Sequence, residues 1–168
     1  MRKSPLPIGT EDFKEIIQKH YYYIDKTLLI REVMDTGSKA SLFTRPRRFG
    51  KTLNLSMLRY FFEDTGDSGL NAENAALFEG LAIADAGEAY TSQMQKYPVI
   101  FLTLKSAKQE NFEYAFRMMR EAIAKEFERH EDTVIPALKN EEKKEKYRNG
   151  KQNWCNSRRN EEGILTVG

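Results

Sequence analysis

The sequence predicts an α/β domain in which two strands join a parallel sheet covered by helices. Residues 97–104 (YPVIFLTL) are apolar almost without a break, the pattern of a strand buried on both faces. Residues 40–44 (ASLFT) form a shorter run of strand type. An amphipathic stretch follows each run, at 52–62 and at 112–130, and helices of this kind cover the faces of parallel sheets.

The elements follow in order. Pro5, Pro7 and Gly9 make the first ten residues an extended arm. Thr10 is the expected helix cap, with Glu11 and Asp12 in the favourable first turn and Phe13, Ile16 and Ile17 on one face. Tyr21-Tyr22-Tyr23-Ile24 reads as a short aromatic strand, and Asp25 as the cap of a helix from Lys26 to Asp35, stopped by Gly37. Pro46 cannot continue strand 40–44 as a central strand. Leu55, Leu58 and Phe62, widened by Met57 and Phe61, give the next helix its apolar face, which ends before Gly66. Residues 64–96 read as glycine-punctuated loops with short helices, and Leu77 to Leu81 as a packed turn. Phe112, Phe116, Met119, Ile123 and Phe127 trace the last strong helical stripe. The Lys- and Arg-rich segment 139–168 is expected to be a solvated or disordered tail beyond a domain over 1–138.

Composition narrows the function classes. A content of 40% hydrophobic and 31% charged residues fits a globular chain, and a net charge of +2 gives no argument for nucleic acid. One cysteine, Cys155, excludes an internal disulfide framework and fits a reducing cytoplasm. The basic start lacks the apolar segment of a signal peptide, and no apolar run approaches the roughly 20 residues of a membrane helix.

The chemistry concentrates between strand 40–44 and the helix that follows it. A phosphate-binding loop needs a strand, a tight turn whose N–H groups face the anion, and a helix whose positive end follows. Arg45-Pro46-Arg47-Arg48-Phe49-Gly50-Lys51-Thr52 occupies that place. Gly50 can take positive φ and has no side chain to block a phosphate. Lys51 can reach the β- and γ-phosphates of ATP, and the Thr52 hydroxyl can bind Mg²⁺. Arg45 stands where the usual pattern has its first glycine, and Pro46 has no N–H to donate. A basic turn between strand and helix is the alternative, with Arg45, Arg47 and Arg48 pairing with surface acids instead of phosphates.

Several blocks together resemble the bacterial AAA-ATPase-like proteins. Pro7, Gly9 and Phe13 match that family's first motif, and Tyr22 to Thr27 its Tyr-x-x-Asp-Lys-Thr segment. Arg45 to Thr52 matches its loop in full, and Asn54 to Phe62 the block after it. Leu77-Phe78-Glu79-Gly80-Leu81 and Tyr97-Pro98-Val99-Ile100 complete the resemblance, which spans residues 5 to about 127. It implies a P-loop NTPase-like three-layer α/β/α domain that binds ATP and Mg²⁺ through residues 45–52, with hydrolysis in full-length members. Many of these resemble fusions to a C-terminal PD-(D/E)xK nuclease-like domain. The family's acidic motif would lie beyond the helix ending near His130, and residues 148–168 do not look like the family. The expectation is therefore a truncated domain with weak or no turnover. Its missing parts would come from a protein partner or an absent C-terminal domain. A nucleotide-retaining module without turnover and a non-functional fragment are the alternatives.

Other residues carry less. Asp25 and Lys26 either support the nucleotide pocket or serve as a cap and a surface lysine. Glu79 is either structural or near the site. His20 and His130 lack the neighbours of a metal site. Cys155 sits in a polar tail, where a catalytic thiol is not expected. The lysines from Lys139 lack the aromatic platforms of a nucleic-acid surface.

Overall fold

The computed structural model describes residues 4–44, 46, 49–105, 108 and 111–156. The chain divides into two compact units, residues 1–99 and 100–168.

In the first unit, α1 (Phe13–Gln18) is capped by Asp12, not Thr10: the Asp12 carboxylate accepts the Glu15 N–H at 3.0 Å. α2 (Leu28–Thr36) ends at Gly37, whose φ of 57° closes the helix in the left-handed conformation. α3 (Lys51–Phe62) follows Gly50, and α4 (Ser68–Ala76) is capped by Asp67 through the N–H groups of Gly69 and Leu70. A single turn, α5 (Glu88–Thr91), comes before the unit's last residues.

The core of this unit forms where α1, α2 and α3 turn their apolar positions inward. Phe13, Ile30, Met57, Phe61, Leu77, Phe78 and Ile83 form one buried cluster. Phe78 is its hub: its ring stacks on Phe13 at 5.1 Å and meets Phe61 edge-on at 5.3 Å. The Leu77–Leu81 turn is thus a packed turn, as its sequence suggests.

Asp25 and Thr27 lock the loop after that turn. Asp25 accepts the Thr27 N–H (2.8 Å), the Thr27 hydroxyl (2.7 Å) and the Ala82 N–H (2.7 Å). The fully buried Thr27 hydroxyl accepts in turn from the Ile83 N–H at 3.1 Å. Partial burial pushes the Asp25 carboxyl up. The donors from Ala82 and Thr27 outweigh that effect and hold it below its ordinary value.

The second unit is built on α6 (Phe112–Arg129), capped by Asn111 through the Glu113 N–H at 2.8 Å. α7 (Glu131–Ala137) and α8 (Glu141–Asn156) follow. The stripe 112–127 has two fates. At one end Phe112 and Phe116 stack on each other at 5.9 Å and remain exposed. At the other, Phe127 meets the Tyr147 ring at 5.0 Å, and the Tyr147 hydroxyl donates to the Phe127 carbonyl at 2.7 Å. Gly150 lies against the Phe127 ring, which an added Cβ would approach to 3.5 Å.

The parallel-sheet α/β expectation is overturned: the described residues hold helices and no strand. Their one β-type contact is an isolated parallel bridge between Glu63 and Tyr97. Among the described residues, segments 40–44, 97–104 and 21–24 form no sheet ladder; in the last of these the Tyr22 N–H donates to the Pro5 carbonyl at 2.8 Å. A strand needs a second extended chain to meet its N–H and C=O groups. Here the Phe101 N–H is taken by the Glu126 carboxylate at 2.9 Å, and Pro98 has no N–H to give. Helices expected against the sheet pack on other helices instead, α3 on α1 and α4, and α6 on α7 and α8. Among the described residues no helix is long and apolar enough to cross a membrane.

Candidate functional site

Three of the eight loop residues, Arg45, Arg47 and Arg48, lie outside the described residues. The rest place the loop's end at a helix start. Gly50 adopts φ 72° and ψ 24°, and α3 begins at the next residue. A side chain is strained at that φ, and the space where a Cβ would sit is open. The helical ladder starts with the Asn54 N–H donating to the Gly50 carbonyl at 2.9 Å. The N–H groups of Lys51, Thr52 and Leu53 therefore come before the ladder, at the positive end of α3. Lys51 and Thr52 are exposed there, as are Phe49 and Pro46.

A cavity of about 710 Å³ adjoins this helix start. Gly50, Lys51, Thr52 and Leu53 line one part, and Pro7, Ile8, Gly9, Thr10, Glu11 and Ile16 the rest. A second hollow of about 470 Å³ joins Lys51 to Phe43, Thr44 and Pro46. The structure thus brings Pro46, Gly50, Lys51 and Thr52 together around hollows that share Lys51.

The arm 7–11 is the part that sequence reasoning missed. Pro7 and Gly9 were legible as a motif, but nothing in their spacing tied them to residues far along the chain. The tie runs through α3. The Phe13 N–H donates to the buried Ser56 hydroxyl at 2.7 Å, and the Tyr60 hydroxyl donates to the Asp12 carboxylate at 3.0 Å. Burial, reinforced by Asp12, pushes the Tyr60 hydroxyl up to about 12, so it remains a donor at neutral pH. The arm's start and the loop's end are therefore both referred to one helix.

The remaining sequence candidates lie elsewhere. Asp25 serves the Thr27–Ile83 clamp, Lys26 and Glu79 are exposed, and none of the three lines the cavity. His130 is buried beside the Glu126 carboxylate at 3.8 Å, and His20 is exposed with φ 53°. Among the described residues no three His, Cys, Asp or Glu side chains gather as a metal would require. The Cys155 side chain lies outside what is described.

Comparison with known proteins places this chain in a family. A curated protein of Azotobacter chroococcum mcd 1, named as an uncharacterized protein in the vnfD 5' region, is 38% identical over 86 residues. That match covers 51% of this chain, which spans only 15% of the relative's length. No solved structure matches the chain. A family model described as a predicted AAA-ATPase matches residues 7–164. It runs past the motif blocks and takes in residues 148–164, which had looked unlike the family. The chain therefore belongs to the AAA-ATPase-like family.

Proposed function

We propose that the chain binds ATP with Mg²⁺ through residues 45–52. The observation that carries this reading is Gly50 in the left-handed conformation immediately before α3, with Lys51 and Thr52 exposed on the cavity. That geometry suits an anion at the helix start, where backbone N–H groups and the helix dipole act together. Lys51 contacts the β- and γ-phosphates as a point charge, and the Thr52 hydroxyl supplies one oxygen to Mg²⁺. Arg45, Arg47 and Arg48 add positive charge for the phosphates, while Pro46 and Phe49 shape the turn before Gly50.

The donor set fits the group. A hard cation takes a hydroxyl ligand readily and completes its shell with phosphate oxygens and water. Family membership favours the same reading, since the matching model is that of a predicted AAA-ATPase.

The test is thermal. Mg²⁺ with ATP at about 100 times its dissociation constant should stabilise the native chain by about 2.7 kcal/mol and raise its melting temperature. Lys51→Ala should abolish the rise. A rise of equal size in the variant would sink the assignment.

A further inference from the structure

Phosphate binding uses one part of the cavity and leaves the other unexplained. Pro7, Ile8, Ile16 and Leu53 give it apolar walls beside Lys51 and Thr52. A bare phosphate or pyrophosphate has no apolar surface to set against them. At about 710 Å³ the cavity falls within the range of roughly 300–1,000 Å³ typical of small-molecule sites.

We infer that the arm around Pro7, Ile8, Gly9 and Thr10 is the nucleoside subsite of this same ligand, with Pro7 and Ile8 packing on a purine base and Thr10 meeting the ribose. This inference rests on the phosphate reading above, because Lys51 and Thr52 fix which end of the ligand lies where.

The arm is held at both ends. Upstream, the Pro5 carbonyl accepts the Tyr22 N–H at 2.8 Å. Downstream, Phe13 is tied to Ser56 on the helix that Lys51 begins. Between the two anchors Gly9 holds φ 80° with open space where a Cβ would project. Ile8 is 89% exposed on this tethered segment. An apolar side chain held in water beside a concave surface is stabilised when a planar apolar group covers it. A purine presents a larger face than a pyrimidine, so ATP gains more from the arm than CTP does. The Thr10 hydroxyl can both donate and accept, which matches a sugar hydroxyl.

The experiment separates the two ends of the ligand. Dissociation constants are measured by calorimetry for Mg²⁺ complexes of ATP, CTP and inorganic tripolyphosphate. The proteins are the full chain and its Ile8→Ser, Ile8→Ala and Lys51→Ala variants. Wild type should bind ATP about tenfold more tightly than tripolyphosphate, and CTP should fall between them. Ile8→Ser should weaken ATP about tenfold and Ile8→Ala somewhat less, with tripolyphosphate changed by less than about twofold. Lys51→Ala should weaken all three ligands.

Equal loss of ATP and tripolyphosphate in the Ile8 variants would overturn the subsite, as would no loss of either. Wild-type binding of tripolyphosphate as tight as ATP would do the same while leaving the phosphate loop standing. Binding of none of the three by wild type would remove both readings together.

Discussion

The buried cluster of residues 13–83 and the extended segments 40–44 and 97–104 are alike in apolar content and opposite in fate. In the cluster Phe13, Phe61 and Phe78 are sealed from water, and the first two each meet the Phe78 ring. In the segments Leu42 is 88% exposed, Ile100 72% and Leu104 61%. The difference lies in the backbone. A helix satisfies its own N–H and C=O groups and needs only a face to bury. An extended run depends on a neighbour for its hydrogen bonds, and its side chains are buried only when that neighbour brings a covered sheet with it.

Three substitutions break or sharpen this contrast. The largest effect belongs to the cluster. Phe61→Ala removes a ring that touches Phe78 and Phe62, and it should cost about 3–5 kcal/mol by urea unfolding. A loss below about 1 kcal/mol would mean that the cluster is not the stabilising centre.

The clamp behind the cluster comes next. Thr27→Val keeps the shape but leaves the Ile83 N–H without the hydroxyl that accepts it, and removes one donor to Asp25. The expected loss is about 1–3 kcal/mol. A variant as stable as its parent would show that water replaces the hydroxyl, and that this turn is more open than its burial implies.

The smallest effect should come from the extended segment. Ile100→Ser should change stability by no more than about 0.5 kcal/mol, as for other exposed positions. A loss above about 2 kcal/mol would mean that this side chain is covered in solution, and the contrast would fail.

The same contrast explains what was legible in the sequence. Helical periodicity located α3 and α6 nearly to the residue, because Leu58, Phe61 and Phe62, or Ile123 and Phe127, state a face that local geometry alone creates. Gly37 as a stop was legible for the same reason. Residues 97–104 carry the composition of a buried strand, but composition does not say whether a partner strand is near. The starts of α1 and α2 were readable only to within a few residues. Thr10, Asp12 and Asp25 are all good caps by type, and which one caps depends on where the chain enters. At the site, the Gly50-Lys51-Thr52 turn was visible as a local pattern. The arm 7–11 was not, because its place is set by Ser56 and Tyr60, whose role as acceptor and donor no local pattern reveals.

Ser56 also governs how a molecule could enter. It lies on the helix that starts at Lys51 and holds the N–H of Phe13 at the arm's root. Drawing α1 away from α3 would break a buried hydrogen bond, so the cavity does not widen by separation of those helices. The compliant part is the short span between the Pro5 and Phe13 anchors, which can bow outward like a sprung gate while both ends and both helices stay fixed. Segment motion of that kind runs on nanoseconds to microseconds. Traffic through the mouth is then set by the gate, whereas the spacing of its posts is set by the aromatic cluster beneath. Loosening Phe61 would blur that spacing without altering any residue that lines the cavity.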